Sequence, residues 1–260
     1  MEFLAGLREE EHMDNRLKRG GTMRFVQVDH GDQITLDDRV TSWLERHNVP
    51  TEVLRPWRGD PLPEADGSVL GAVVYGGKYD VFKEDRFPFL HAENLFIEQC
   101  LRSEIPVLGI CQGAQSMARV LGAACGPLDP EVHEFGYYEI RPTEAGREHF
   151  PEALSVAQAH YHGFDIPHGA TRLASSDLFP NQAMQAGPKA FAFQFHAEVT
   201  EQGFRRWQNA DEWNAYGNNG AQSRAEQDVL LPRCDPIMGI WFDGFIDTLY
   251  GEILSNIEAA

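Results

Sequence analysis

The first half of the chain alternates between two hydrophobic patterns. Short apolar or alternating runs are typical of β-strands, and they occupy residues 24–28, 51–54, 69–75 and 106–110. Apolar residues recur at helical spacing in three further segments, over residues 36–44, 88–102 and 112–121. Strands that alternate with helices in this way predict an α/β fold with an open, mostly parallel, doubly wound sheet of the flavodoxin-like kind, flanked by helices.

The second half of the chain is less regular. Strand patterns, several of which we expect to pair antiparallel, lie at residues 136–140, 170–174, 181–186 and 190–195. Helical patterns dominate from residue 200 onward. Three tryptophans are expected to pack in this part, at Trp207, Trp213 and Trp241. We predict one domain over residues 23–260, with a smaller antiparallel element and a helical C-terminal part, preceded by a mobile N-terminal extension over the charged residues 1–22.

The composition is that of a folded protein, because 42% of the residues are hydrophobic and 24% are charged. A net charge of −18 without a basic stripe argues against nucleic-acid binding. No apolar run approaches the roughly 18 residues of a membrane span, and residues 1–21 hold too many charges for a signal peptide. We therefore expect a cytoplasmic protein that binds neither nucleic acid nor membrane.

Four cysteines are scattered along the chain without a CxxC pair, at Cys100, Cys111, Cys125 and Cys234. A disulfide framework or a closed cysteine zinc site is therefore not expected. All except Cys111 are interpreted as small buried hydrophobic residues. His160 and His162 form an HxH pair, but no carboxylate or cysteine cluster accompanies them in the sequence. We predict neither a metal nor a cofactor.

Cys111 differs from the other cysteines because it lies between a predicted strand and a predicted helix. The segment Gly109-Ile110-Cys111-Gln112-Gly113 predicts a tight turn that presents the middle side chain, with glycines relieving the crowding. A thiol at a helix N-terminus is favoured as the thiolate by the helix dipole and by free N–H groups. The N–H of Gln112 can donate to an oxyanion at the same place. Cys111 is therefore a candidate nucleophile.

His196 is the best candidate, among ten histidines, to exchange a proton with Cys111. It follows an apolar strand pattern, which would present it at the carboxyl edge of the sheet, where open α/β sheets build their sites. Glu198 would lie on the same side of an extended chain and orient the imidazole. The turn also resembles the elbow of α/β-hydrolases, but there the acid precedes the histidine. The order found here argues against that alternative.

Two motifs together carry a family resemblance: Gly-Ile-Cys-Gln-Gly-Ala-Gln at 109–115 and Phe-Gln-Phe-His-Ala-Glu at 193–198. They resemble the class I, or triad, glutamine amidotransferases. More narrowly, the chain looks like the stand-alone branch similar to the glutaminase domain of GMP synthase. Further segments that look like this branch lie at residues 76–77, 84–90, 134–137, 173–176 and 180–183.

The resemblance implies a role for each motif residue. Cys111 attacks the side-chain amide of glutamine, and His196 protonates the departing ammonia and then activates water against the thioester. Glu198 orients His196. The N–H groups of Gly77 and Gln112 form the oxyanion hole. Contacts with the substrate are implied for Gln115, Phe135, Gly136 and Tyr137.

The chain departs from the family pattern at three places. Lys78 and Tyr79 follow the paired glycines, where the family often has proline. Ala197 replaces the proline of the usual His-Pro-Glu. The segment 161–165 is a shortened form of the branch's Trp-His motif, so His160 and His162 are interpreted either as substrate-side residues or as ordinary polar loop residues.

The resemblance implies a cysteine-dependent amidohydrolase that acts on glutamine or on a γ-glutamyl compound. One interpretation is a glutaminase that passes ammonia to a separate synthetase, since no synthetase motif occurs in this sequence. The alternative is a self-sufficient γ-glutamyl peptidase or hydrolase. A third hypothesis is a binding protein that has kept the fold and lost turnover, and the intact triad argues against it.

Overall fold

The computed structural model of the chain describes residues 23–32, 36–128, 130–210 and 216–258. The predicted N-terminal extension and the predicted packing of Trp213 lie outside these ranges. Within the described part of the chain, no helix combines the length and the apolar character needed to cross a membrane.

The described strands are β1 (Arg24–Val28), β2 (Thr51–Leu54), β3 (Val69–Val74), β4 (Val107–Ile110), β5 (Cys125–Pro127), β6 (Glu134–Pro142), β7 (Leu154–His160), β8 (His162–Phe164), β9 (Thr171–Ser175), β10 (Ala183–Gln185) and β11 (Ala190–Phe193). One sheet has the order β2-β1-β3-β4-β11-β10-β9-β6-β7, and β5 pairs with β8. Strands β2, β1, β3, β4 and β11 are parallel, and every other pairing is antiparallel. The predicted fold class is confirmed, although the sequence patterns do not predict β5, β7 or β8.

The helices are α1 (Arg39–Arg46), α2 (Phe89–Arg102), α3 (Gln112–Val120), α4 (Glu201–Gln208) and α5 (Arg224–Glu258). Short 3₁₀ turns cover Pro56–Arg58 and Ala145–Glu148. The side chain of Asp38 caps α1 by accepting from two backbone N–H groups, and the side chain of Thr200 caps α4 by accepting from one, that of Gly203. Such caps satisfy N–H groups that have no partner within the helix.

The strands bury alternate side chains on opposite faces of the sheet, as the pleat requires. Phe25 of β1 and Phe193 of β11 face a core that contains α1 and α5, and Trp241 packs there as predicted, stacked on Phe150 at 5.0 Å. Val26 of β1 belongs to a second core that includes α2 and α3. The sheet is therefore covered on both faces.

The carboxyl ends of β1, β3, β4 and β11 meet at one edge of the sheet, because these strands are parallel. The segments that follow them contain His30, Gly77, Cys111 and His196. Parallel α/β sheets build their sites at this edge, so the fold brings together residues that are up to 166 positions apart, from position 30 to position 196.

Candidate active site

Cys111 has an unusual backbone conformation at the turn between β4 and α3. Its φ is 50° and its ψ is −104°, although it is not a glycine. A side chain on Gly113 would collide with the Val74 carbonyl, and one on Gly109 would lie 2.6 Å from the Gly113 carbonyl oxygen. The two glycines therefore let α3 pack directly on the sheet, and the turn holds Cys111 at the start of the helix. Backbone strain of this kind is characteristic of functional sites.

His196 lies against Cys111 and is bound by Glu198. Its Nδ1 atom is 2.7 Å from Oε1 of Glu198, and the Cys111 side chain lies close enough to raise the pKa of the ring. A side chain on Gly76 would come within 2.7 Å of the His196 ring and 3.3 Å of the Cys111 Cβ atom. The glycine at 76 therefore leaves the space in which the thiol and the imidazole meet.

The charges around His196 favour its protonated form. Burial by itself lowers the pKa of the imidazole, but the negative charges and hydrogen bonds of Glu198 and Cys111 raise it to about 10. The Trp207 indole packs edge-on against the ring, with centroids 4.8 Å apart. Trp207 therefore packs as predicted, and the residue that it packs against is the protonated His196.

The segment after His196 is tied to the first helix. The backbone N–H of Arg39 donates to the Glu198 carbonyl at 2.8 Å, and its guanidinium donates to the Ala197 carbonyl. The guanidinium also pairs with Asp235 of α5 at 2.9 Å. With alanine in place of the usual proline at 197, Arg39 holds both backbone carbonyls that follow the histidine.

The two predicted oxyanion donors are linked by one side chain. Gln112 is the first residue of α3, so its N–H has no partner within the helix. Its side-chain Oε1 accepts from the Tyr79 N–H at 2.9 Å and lies directly over Gly77, where a Cβ atom would collide with it. The Tyr79 ring packs edge-on against Phe87 and Phe89 at 5.0 and 4.9 Å. Lys78 and Tyr79, where the family often has proline, are therefore part of an anchored loop.

A buried ion pair between His30 and Glu93 packs against the same loop. The His30 Nε2 atom lies 3.0 and 3.1 Å from the two carboxylate oxygens of Glu93, and Nδ1 lies 3.2 Å from the Tyr75 carbonyl oxygen. Burial lowers the pKa of His30, but the Glu93 carboxylate offsets this, so the net pKa is raised. A side chain on Gly77 would lie 2.6 Å from the His30 Cβ atom. Sequence reasoning missed this pair, although His30 follows a parallel strand at the carboxyl edge.

A cavity of about 330 Å³ opens beside Cys111. It is lined by Gly77, Lys78, Tyr79, Asp80, Cys111, Gln112, Gln115, His133, Ala159, His160, Tyr161, His162 and Asn218. The sequence-predicted residues Gly77, Cys111, Gln112 and Gln115 thus share one cavity. The described residues contain no cluster of three or more histidine, cysteine, aspartate or glutamate side chains suited to a metal ion.

Gln115 and His160 shape the inner wall of the cavity by binding one carbonyl. The His162 carbonyl oxygen lies 2.9 Å from His160 Nδ1 and 3.4 Å from Gln115 Nε2. The other nitrogen of His160 lies 3.0 Å from the Glu134 carboxylate, which also accepts from Gln182 at 2.6 Å. Both ring nitrogens of His160 therefore face acceptors, and its role in the wall is to fix the connection between β7 and β8.

Phe135, Gly136 and Tyr137 are absent from the described lining of the cavity. They belong to β6, and Gln222 binds the backbone of Tyr137 through its N–H at 2.9 Å and its carbonyl at 2.6 Å. The Phe135 and Tyr137 rings pack against Phe204 of α4. Their implied contact with substrate stays a prediction. His133, Tyr161 and Asn218 line the cavity and were not predicted as site residues.

Comparisons with known proteins identify the family of the chain. The class-I glutamine amidotransferase family model matches residues 26–206. The glutamine amidotransferase-like protein YfeJ of Salmonella typhimurium is 32% identical over 167 residues, which cover 61% of this chain and 69% of that protein. The glutamine-hydrolyzing GMP synthase of Porphyromonas gingivalis is 29% identical over 179 residues, covering 68% of this chain and 33% of the synthase.

The solved structures that resemble this chain include a glutamine amidotransferase. The crystal structure of a glutamine amidotransferase from Thermotoga maritima matches with a TM-score of 0.76 and 27% identity, over 88% of this chain and 98% of that one. The fold and the cavity define an α/β protein with a cysteine at a strand-to-helix turn. The chain belongs to the class-I glutamine amidotransferase family. The relationship to GMP synthase covers about a third of that enzyme, as the matched share shows.

Proposed function

We propose that the protein hydrolyses the side-chain amide of glutamine or of a γ-glutamyl compound through a thioester on Cys111. The observation that carries this proposal is the position of Cys111. Its side chain meets an imidazole whose other nitrogen lies 2.7 Å from the Glu198 carboxylate. Nucleophile, proton carrier and orienting acid are the groups that acyl transfer from an amide requires.

The charge state of His196 fits the first step. The Cys111 thiolate attacks the amide carbon, and the imidazolium, whose pKa is raised to about 10, gives its proton to the leaving nitrogen. The carbon–nitrogen bond breaks and ammonia or an amine departs. The neutral imidazole then removes a proton from water, which attacks the thioester, releases the γ-carboxylate and regenerates the thiolate.

The negative oxygen of each tetrahedral intermediate needs donors. The N–H groups of Gly77 and Gln112 are the proposed pair, since both residues line the cavity beside Cys111. The Gln112 side chain, bound to the Tyr79 N–H, supports a hole that is formed before substrate binds. Donors fixed in advance cost no reorganisation during the reaction. Gln115 is the proposed contact for the amino-acid end of the substrate.

Two cellular uses follow from this chemistry. A glutaminase would pass ammonia to a separate synthetase, and this use is supported by the relationship to GMP synthases. A γ-glutamyl hydrolase would act alone, and the cavity-lining residues Asp80, His133 and Tyr161 are the proposed contacts for a leaving group larger than ammonia.

The test is a substrate screen with matched cysteine variants. Ammonia release from glutamine and amine release from γ-glutamyl dipeptides are measured for the wild type, for Cys111→Ala and for Cys234→Ala, whose thiol lies on α5. We expect Cys111→Ala to abolish turnover and Cys234→Ala to retain it. Undiminished turnover in Cys111→Ala would overturn the thioester mechanism. If the protein prefers the dipeptides to glutamine, its cellular use is that of a γ-glutamyl hydrolase.

A further inference from the structure

The outer face of α5 carries an exposed apolar stripe. Ile240 is 77% exposed, Ile237 is 63% exposed and Val229 is 53% exposed. Pro232 and Pro236 are exposed on the same helix. The opposite face of α5 is buried in the core, with residues such as Phe242, Ile246 and Tyr250. Large apolar side chains that align on one side of a surface helix mark an interaction site more often than scattered ones do.

The face of α5 that carries this stripe also includes charged residues and glycines. Each residue of an α-helix turns by about 100°, so positions 229, 233, 236, 237, 244, 247 and 251 all lie within about 60° of Ile240 around the axis. From Val229 to Gly251 this face is about 33 Å long at 1.5 Å per residue, with its apolar side chains between positions 229 and 240 and with glycines and aspartates beyond them. It therefore extends over most of α5.

The sequence of the stripe is self-complementary around Ile240. If two copies of α5 lie antiparallel with Ile240 at the centre, residue 240 − n of one copy faces residue 240 + n of the other. Arg233 then faces Asp247, Val229 faces Gly251, and Ile237 lies beside Gly244. A side chain added at Gly244 or Gly251 would meet nothing within 4 Å, so both positions are open depressions. Bulky residues therefore face depressions, and a cation faces an anion.

We propose that the protein forms a homodimer through this face of α5, with the twofold axis at Ile240. Such an interface is isologous, so that one patch on each copy serves both sides. Arg233 is exposed on the helix surface, so its charge is available to the second copy. Asp247 accepts from Trp43 Nε1 through Oδ1, which fixes its carboxylate on the helix surface.

The expected dimer is reversible. One helix pair of this length buries less than the roughly 800 Å² per partner of a standard interface. We therefore expect the monomer and the dimer to exchange at micromolar concentrations. The net charge of −18 opposes association at low salt, and an ionic strength of about 0.15 M, with a Debye length of about 8 Å, screens much of that repulsion.

Sedimentation velocity over a range of about 1 to 100 μM, the concentrations expected for a weak interface, tests the proposal at 0.15 M salt. Ile240→Arg places two cations at the twofold axis and is expected to give a monomer throughout. Leu95→Arg changes a residue of α2 that is 53% exposed and is the matched control. Circular dichroism verifies that both variants fold.

A charge swap separates this pairing from other modes of association. Arg233→Asp and Asp247→Lys are each expected to weaken the dimer at least fivefold, and the double variant is expected to recover it. Circular dichroism verifies the fold of all three, because Asp247 also binds the buried Trp43. A wild type that remains monomeric at 100 μM would overturn the proposal. So would a dimer that Ile240→Arg leaves intact, because that result would place the interface elsewhere. None of these measurements depends on turnover at Cys111, so their outcome is independent of the proposed chemistry.

Discussion

The Trp207 indole packs edge-on against the His196 imidazole, with ring centroids 4.8 Å apart. Trp207 lies one residue beyond the segment that the family model matches, which ends at position 206. An aromatic ring packed in this way against the imidazole restricts its orientation. The orientation of His196 therefore depends on α4 as well as on Glu198.

Replacing Trp207 with alanine should slow turnover, because the His196 imidazole loses a ring that restricts its orientation. Contacts of this kind contribute about 1 kcal/mol, which is about a fivefold change in rate. The measurement is the pH profile of kcat, and Trp207→Phe should restore most of the loss. Trp241→Phe, in the aromatic cluster on α5, is the control and should change thermal stability only. An unchanged profile in Trp207→Ala would show that the contact is packing alone.

Replacing Glu198 with glutamine should remove the charge that holds the imidazolium while keeping an oxygen near Nδ1. A hydrogen bond to a charged group is worth about 1.5–3 kcal/mol, so we expect kcat to fall about 10- to 150-fold. The pKa of His196 should fall as well, which is measured by the pH dependence of Cys111 alkylation. Glu201→Gln, three residues further along the chain at the exposed start of α4, is the matched control. Equal rates for both variants would contradict the orienting role.

Replacing Gln112 with leucine should loosen the loop that carries Gly77. The lost hydrogen bond to the Tyr79 N–H costs about 1 kcal/mol, and complete loss of one oxyanion donor costs about 10²- to 10³-fold in kcat. We expect a decrease between these limits, with KM less affected.

Gln99→Leu is the control for this experiment, because Gln99 also accepts a loop N–H, that of Ala65, at 2.9 Å but lies away from the cavity. Its activity should stay near that of the wild type. If Gln112→Leu keeps full kcat, the Gln112 side chain is not what holds the loop.

The raised pKa of His196 predicts a pH-dependent stability. The group binds its proton more tightly in the folded state, at about 10, than at its ordinary value of 6.5. Its contribution is therefore fully present below about pH 6.5 and is lost as the pH rises through about 10. Urea unfolding of the wild type and His196→Gln at pH 6.5, 8 and 10 measures the difference, which should shrink as the pH rises. His30, whose pKa is also raised, is common to both proteins and cancels. A constant difference would contradict the predicted titration.

The parallel half of the fold was predictable because its signals are local. Residues 24–28 and 51–54 form strands with the predicted bounds, and α3 ends one residue before the predicted end. Continuous apolar runs and the GxCxG turn need no knowledge of distant residues. The position of Cys111 at the start of α3 followed from the same signals.

The antiparallel half was harder to predict because its strands depend on distant partners. β7 (Leu154–His160) includes the buried polar residues Gln158 and His160, which interrupt an apolar pattern. Gln158 donates to Gln182, which precedes β10, and His160 pairs with Glu134 of β6. Buried polar residues of this kind look like loop residues in the sequence, because their hydrogen-bond partners are more than 20 positions away.

Part of the cavity lining could not be predicted from the sequence either, because it also depends on residues that are distant along the chain. His133, Tyr161 and Asn218 come from three separate connections and share no motif spacing. Tyr161 and His133 stack with centroids 5.2 Å apart, a contact that only the folded chain creates. The shared edge of the parallel strands predicts where a site lies, whereas the loops above that edge decide its shape.

The guanidinium of Arg39 joins three parts of the chain that are separate in the sequence: the first helix, the carbonyl of Ala197 and Asp235 of α5. Gly239 leaves the space for it, since a side chain there would lie 2.8 Å from the Arg39 Nε atom. The family match ends at residue 206, well before α5 begins. Asp235 of α5 thus helps to hold Arg39 on the backbone next to Glu198, so deletion of the last helix is expected to lower activity although Cys111 and His196 lie on other elements.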